Sequence, residues 1–263
     1  VPDIGYKILN VLADGVSEGP VSSYTFSNVT SNHSITAAFE PTPTYTITAS
    51  SGSGGSVTPS GVTTVNEAAS QAYQIIPAAG YRIADVLIDN VSVGPVNTYS
   101  FSNVTSNHTI SASFSILTYT ITASAETGGS INPSGSLTLN HGSSQTYTVS
   151  LEPGMMISSV IVDNVSAGNP SQYTFSNITG NHSIRVRFSI ITNTISASAG
   201  TGGRIFPEGN VQVNYGENQS FSIEANTGYY ISGVLVDNNS AGTVANYTFN
   251  NVTSSHSISA SFS

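Results

Sequence analysis

The chain has 263 residues, no Cys, no Trp, one Lys (Lys7), 7% charged residues and a formal charge of −9. Nucleic acid and anionic membranes are held by clustered Lys and Arg that neutralise phosphates, so neither is expected as a partner of so weakly charged and acidic a chain. The lack of Cys excludes disulfide staples and thiolate chemistry, and no apolar run approaches the roughly 20 residues that span a bilayer, so no membrane contact is expected from this segment.

Ser, Thr, Asn and Gly dominate, yet Val, Ile, Tyr and Phe recur regularly, which suits β-sheets joined by tight turns rather than disorder. No basic-then-apolar leader stands at Val1, so a signal peptide or anchor is expected outside this stretch. Residues 1–39 open with a hairpin whose turn is Asp14-Gly15, a favoured two-residue turn for positive φ. They close with "YTFSNVTSNHSITAAF" (24–39), which returns as "YSFSNVTSNHTISASF" from 99, "YTFSNITGNHSIRVRF" from 173 and "YTFNNVTSSHSISASF" from 247. His33, His108, His182 and His256 are spaced by 75, 74 and 74 residues, as are Asp14, Asp89, Asp163 and Asp237. A segment repeated at a fixed period argues for an architectural unit before an active site, because a catalytic centre is normally built once from residues with different roles.

After the connector "EPTPT" (40–44), complete units run over 45–114, 119–188 and 193–262, joined by "SILT" (115–118) and "SIIT" (189–192). Each opens on an alternating strand. The paired Gly of "SGSGGSV", "AETGGSI" and "AGTGGRI" marks a turn, followed by Pro59, Pro133 or Pro207 where the chain leaves the sheet edge. "ADVLIDNVSVG" predicts a hairpin with Val86 and Ile88 on one face and Asp89-Asn90 at the turn. In "HTISASF", His108, Ile110, Ala112 and Phe114 share one face. Arg185 and Arg187 fall on the opposite face of the second complete unit, and a one-residue slip would bury both. The pattern predicts six or seven short strands per unit and no helix, hence an all-β fold. Residues 1–39 match only the second half of a unit. A domain of about 70 residues is already marginal in the apolar surface it buries, so half of one should not fold alone. Its missing strands are expected either from a longer array, of which this chain is a piece, or from another molecule by strand addition. The last unit is complete and has no spare half to donate, which favours the longer array.

The opening "YTITAS-GGS", the central "GY-I--V-VD--S-G" and the closing "YTFSNVT-NH-I-A-F" together resemble the divergent B-repeat modules related to listerial internalins, which stand in tandem on secreted and surface proteins of bacteria and some archaea. The resemblance covers nearly the whole chain. It implies an extracellular array of small β-modules of β-grasp-like or sandwich topology, and it implies no enzyme activity.

Against that frame each tempting site has a plain reading. The four repeated His are lone imidazoles with no second His recurring beside them, whereas zinc takes three or four ligands, so they are read as structural and no metal or cofactor is assigned. The repeated Asp occupies a hairpin turn, where Asp is favoured locally. His141 has no counterpart and belongs to a loop. No Ser, His and acid combination stands out from the Ser-rich background, and no catalytic residue is assigned. Glu152, Asp163 and Glu224 are conceivable as a glycosidase-like pair, yet Glu152 aligns with Ala78 and Asn226. Lys–Asn crosslinks are excluded as a feature of every unit, since only Lys7 is present. Candidate N-glycosylation acceptors are Asn28, Asn32, Asn90, Asn103, Asn107, Asn164, Asn177, Asn181, Asn218, Asn238, Asn246 and Asn251, each in an N-x-S/T pattern that the repeat would also multiply for its turns alone. The aromatic pairs Tyr24/Phe26, Tyr99/Phe101, Tyr173/Phe175 and Tyr247/Phe249 could stack on sugars, but their alternation with Thr and Ser assigns them to the core.

The expected function is therefore structural: a tandem β-domain rod on the cell surface or outside the cell, as shaft, stalk or filament. Each unit of globular density would be about 28 Å across, so the array in line would reach roughly 100 Å. Short connectors with apolar "IL" and "II" are expected to stiffen it, and sparse charge favours self-association of chains into filaments. The alternative is a carbohydrate- or cell-surface-binding adhesive module, with glycans as the partner.

Overall fold

The computed structural model describes residues 1–263, all in strands, turns and connecting segments, with no helix. The chain divides into two compact units, Val1–Leu117 and Thr118–Ser263, the first holding the half-repeat and one complete repeat and the second holding two.

In the first unit the half-repeat supplies β1 (Tyr6–Ala13), β2 (Val16–Gly19) and β3 (Ile35–Pro41). The complete repeat supplies β4 (Thr44–Ser51), β5 (Gly55–Thr58), β6 (Gly61–Asn66), β7 (Gln71–Pro77), β8 (Tyr81–Ile88), β9 (Val91–Gly94), β10 (Thr98–Phe101) and β11 (His108–Ile116). The count per repeat is thus eight rather than six or seven. The count rises through pieces of two to four residues, too short to show an alternation distinct from the turns around them.

Two sheets face each other, one of order β6-β4-β11-β8-β9 and one of order β10-β7-β5. β4 and β11 run parallel, and the other pairings are antiparallel. Ile47, Ile110 and Val86 from the larger sheet meet Val57, Tyr73, Ile75 and Phe101 from the smaller in one buried cluster. A core shared between two sheet faces is a sandwich, which decides between the two topologies that the pattern left open. Ile110 is fully buried while Thr109 and Ser113 are exposed, as period-two alternation requires.

A bulge between Ser113 and Phe114 in the β8–β11 pairing leaves Ala84 without an opposite partner, and the same irregularity falls at Leu9, Ser158 and Ser232. The extra residue flips the parity of β8, so that Ile83 as well as Val86 and Ile88 pack toward the core. The glycine pair has a second reason beyond the turn. A Cβ on Gly54 would run into the Tyr81 ring and one on Gly55 into the Phe114 ring, and Gly202 and Gly203 stand in the same relation to Tyr229 and Phe262.

The second unit holds two more copies with the same strand orders, their cores centred on Ile121, Tyr147 and Val186 and on Ile195, Phe221 and Val234. Arg185 and Arg187 lie exposed, with Nε 3.9 and 3.1 Å from Glu126 Oε1. The connector between these two repeats is held from both sides. Ile191 N–H donates to Gly154 C=O (2.8 Å), and Ile191 C=O accepts from Tyr215 N–H (2.9 Å). The Tyr215 ring rests where a Cβ of Gly154 would stand. In the first unit Thr42 N–H donates to Gly5 C=O (2.8 Å) and Pro43 C=O accepts from Glu67 N–H (2.7 Å). Lys7 Nζ adds Glu67 at 3.1 Å and Glu40 at 3.6 Å.

Candidate functional site

The one arrangement of chemically capable side chains common to every copy is built on the β8–β9 turn. Asp89 and Asn90 have φ of 49° and 66°, both positive as a two-residue type I′ hairpin demands. That turn puts the Asp89 carboxylate at the start of β11. Its Oδ2 accepts from His108 Nδ1 (2.7 Å) and its Oδ1 from Thr109 N–H (2.7 Å), while Asp89 N–H donates to Thr109 C=O (3.1 Å). The pairs Asp14–His33, Asp163–His182 and Asp237–His256 repeat the carboxylate–imidazole contact at 2.6 Å each. Phe101 packs on the His108 ring at a centroid distance of 4.9 Å, and Phe26, Phe175 and Phe249 do the same in their copies.

Each of these carboxylates is held below its ordinary pKa. For Asp14 the leading cause is the hydrogen bond from His33. For Asp89, Asp163 and Asp237 burial pushes upward most strongly, and the combined hydrogen bonds from the imidazole and the following backbone N–H outweigh it.

Local pattern alone marks His as a structural residue at a strand start and Asp as a turn residue, and it does not join them. The signal was available: the two are separated by 19 positions in every copy. A Ser also stands beyond the imidazole in two copies. Ser106 Oγ lies 3.4 Å from His108 Nε2, and Ser254 Oγ lies 3.5 Å from His256 Nε2, which completes an Asp–His–Ser order in two copies. Those distances are at the outer limit of a hydrogen bond. Gly180 stands at the serine position of the remaining complete repeat. In every copy the Asp is spent on fastening the hairpin to the last strand. The arrangement is a clamp that ties the hairpin turn to the strand beside it in the same sheet.

All twelve sequon asparagines are exposed. Asn28, Asn103, Asn177 and Asn251 have φ of 50–52° and hold the turn before the last strand. The Oδ1 atoms of Asn107 and Asn181 accept from Thr46 and Thr120 N–H (2.8 Å each), and that of Asn218 accepts from Asn251 N–H (2.7 Å). The repeat thus uses many of these residues for local folding while leaving them at the surface. Tyr99 and Phe101 meet edge-to-face at 5.0 Å on the core side, as do Tyr173 with Phe175 and Tyr247 with Phe249. The pair Tyr24/Phe26 departs from the expected core placement, Tyr24 being 38% exposed, and the other exposed aromatics are Tyr6 and Phe39 of the half-repeat and Phe206, Tyr229 and Tyr230 of the last repeat. Glu224 is paired with Arg204 at 2.6 Å, and Asp163 belongs to its clamp. No three His, Asp or Glu side chains gather as a metal site. His141 sits in the turn after Gly135–Asn140, its ring 5.9 Å from that of Tyr119.

Residues 45–117 match the divergent InlB B-repeat domain family, and the two later repeats copy that segment in motif, strand order and register. No curated protein matches the chain. Among solved structures, the Bacillus anthracis TIE protein is similar at 9% identity and a TM-score of 0.42, over 88% of this chain and 54% of that one. This chain therefore spans about half the length of that protein. The I9–I11 tandem of titin aligns at 8% identity and a TM-score of 0.14, over 82% of this chain and 96% of that one. The titin I-band fragment I67–I69 aligns at 6% identity and a TM-score of 0.16, over 82% and 95%. None of these likenesses is close enough to carry an argument.

Proposed function

We propose that the chain is a non-enzymatic structural protein of the cell surface or extracellular space, whose sandwich modules form a shaft, stalk or filament. The observation that carries this reading is the connector clasped from both sides, at Thr42–Pro43 and at Ile191. A linker whose backbone groups are bonded to the module before it and the module after it transmits orientation, whereas a flexible linker would let modules tumble. The clamp recurring in each copy serves the same end by tying hairpin to strand within each module. The exposed sequons are available to carry sugar on such a surface. Small-angle scattering of the whole chain tests the reading. A maximum dimension near 100 Å agrees with modules in line, and one near about 50 Å, the diameter of a single globule of this length, would refute it. Electron microscopy of material from the natural source then separates fibres with a helical repeat from single rods.

The adhesive alternative has one specific observation in its favour. Phe206 is 72% exposed and lines a groove of about 380 Å³ with Arg204, Glu208, Ser222 and Glu224, where the other complete repeats carry Thr58 and Asn132. An aromatic face beside carboxylates suits a sugar ring. A glycan array with the native chain and Phe206→Ala decides it: binding that disappears in the variant supports adhesion, and an empty array removes it.

A further inference from the structure

The two edges of the larger sheet in each complete repeat are built differently. On one side the sheet ends in β9 and its counterparts Val165–Ser166 and Asn239–Gly242, strands of four, two and four residues. The register of this outer pair slips between Val86 and Leu87, and again between Val234 and Leu235. Short, bulged strands give another chain little to pair with. On the other side the sheet ends in β6 and its counterparts Gly135–Asn140 and Gly209–Asn214, six residues each, paired with the first strand of their repeat without any slip. Their sequences, "GVTTVN", "GSLTLN" and "GNVQVN", hold neither Pro nor a charged side chain, the devices that blunt an edge.

The direction of the backbone groups follows from the register. Glu67 N–H donates to Pro43 C=O (2.7 Å), whereas Thr46 N–H turns to the opposite side, to Asn107 Oδ1 (2.8 Å). Groups alternate along an antiparallel ladder, so Gly61, Thr63 and Val65 bond inward to β4, and Val62 and Thr64 point N–H and C=O outward. The same parity turns Ser136 and Thr138 outward in the next repeat, where Thr120 N–H donates to Asn181 Oδ1. It turns Asn210 and Gln212 outward in the last, where Tyr215 N–H donates to Ile191 C=O. These outward groups have no backbone partner in the chain, and the residues that carry them are exposed. Between them stand Thr63, Leu137 and Val211, half-buried on the other face.

We propose that this edge is the lateral contact between two copies of the chain, β6 and its counterparts pairing antiparallel with the equivalent edge of a second copy. The edge is its own complement. With the two-fold axis at Thr63, Val62 lies opposite Thr64 of the second copy, and outward N–H meets outward C=O at both. A one-residue slip would set outward groups against inward ones. An axis at Thr64 would bring in Asn66, whose C=O already accepts from Ala69 N–H (3.0 Å). The favoured axis also brings Leu137 against Leu137 and Val211 against Val211, at the close Cβ spacing of about 4.5–5.5 Å of directly opposite residues. No like charges meet at the contact, although the chain carries a formal charge of −9. Three such edges on one chain let contacts that are weak singly add together. The proposal names the partner for the filament form of the structural reading and rests on that reading.

The test uses the whole chain, by sedimentation at concentrations up to about 1 mM and by amide exchange. On association the outward amides of Val62, Thr64, Ser136, Thr138, Asn210 and Gln212 are expected to exchange about tenfold more slowly than in dilute solution, with their inward neighbours unchanged. Thr64→Pro, Thr138→Pro and Gln212→Pro together remove outward N–H groups without touching the ladder to the first strand, and are expected to leave a monomer. Native protection of Ile47, Ile121 and Ile195 shows that the repeats of the variant are folded. Where it is lost, Thr64→Lys, Thr138→Lys and Gln212→Lys decide instead, against Thr48→Lys, Thr122→Lys and Ser196→Lys, which add the same charge one strand inward and are expected to keep associating. A chain that stays monomeric throughout, or an association that leaves the outward amides fast or survives the edge variants, overturns the proposal. Scattering keeps the two readings apart: an extended chain that never pairs removes the lateral contact alone, and the size of a single globule removes the shaft or filament with it.

Discussion

Asp237→Ala isolates the clamp in the last repeat. The substitution removes two acceptors, Oδ1 for Ser257 N–H (2.8 Å) and Oδ2 for His256 Nδ1 (2.6 Å). Hydrogen bonds of this kind contribute about 1 kcal/mol each, and the pair with His256 counts for less because the side chains are 43% and 26% exposed. Placing Ala at a φ of 48° adds about 1 kcal/mol of backbone strain. The sum is about 2 kcal/mol, or roughly a 30-fold shift in the opening equilibrium. The assay is amide exchange of Ile258 and Ala260 in the intact chain, with Ile110 and Ala112 in the first complete repeat as an internal reference. Asp237→Asn keeps an amide oxygen for Ser257 N–H and a residue tolerant of positive φ, so it is expected to cost only about 1 kcal/mol. If Asp237→Ala leaves Ile258 exchange unchanged, or speeds Ile110 equally, the clamp does not stabilise its own module and the reasoning fails.

Acid titration follows from the same carboxylates. Their pKa values are lowered on folding, so the unfolded chain takes up protons first as pH falls; the stabilisation is present above the ordinary Asp value of 3.8 and is lost on descent through the lower folded values. Chemical denaturation from pH 6 down to pH 2 is expected to show stability falling below about pH 4, and replacing all four Asp by Asn should flatten that limb. The hydroxyls of Tyr73 and Tyr147 are buried without a protein partner, and Phe occupies this position naturally at Phe221. Tyr73→Phe and Tyr147→Phe are therefore expected to raise stability by about 1 kcal/mol each in urea unfolding, and a loss of stability would show that the hydroxyl is satisfied after all. Gly55→Ala forces a methyl into the Phe114 ring and the Ile76 carbonyl, so a loss of about 1–3 kcal/mol is expected in the same assay, whereas Gly61→Ala, with open space around it, should lose only what its positive φ costs.

Alternation carried most of the fold to the surface of the sequence. It set the inward face of β11, the exposure of Arg185 and Arg187, the Asp-Asn turn and the burial of Phe101, Phe175 and Phe249, because each depends on residues within a few positions. The parallel β4–β11 pairing joins residues about 60 apart and leaves no local trace, which is why sandwich and β-grasp-like topologies could not be separated. The bulge was written in the odd spacing of Ile83, Val86 and Ile88, a parity break that a strict period-two reading passes over. The clamp was missed for a different reason. His and Asp were each given a sufficient local explanation, and the constant interval between them went unused. Phe206, by contrast, belongs to no pattern, and only its exposure in the folded repeat draws notice.

What stays constant across the copies and what varies divide along physical lines. The clamp, the bulge and the glycine pair recur because each fixes a contact inside one module, where a substitution meets a ring or strands a hydrogen-bonding group. Position 67 and its counterpart 215 lie against the preceding module, and there the residues differ: Glu67 reaches Lys7 in one joint, and the Tyr215 ring covers Gly154 in the other. The first contact is ionic and exposed, so it contributes little and weakens with salt, whereas the second excludes water from a backbone surface that no side chain larger than Gly would leave open. Junctions made of the same backbone hydrogen bonds therefore differ in one side chain each, an exposed ion pair at one and a packed ring at the other.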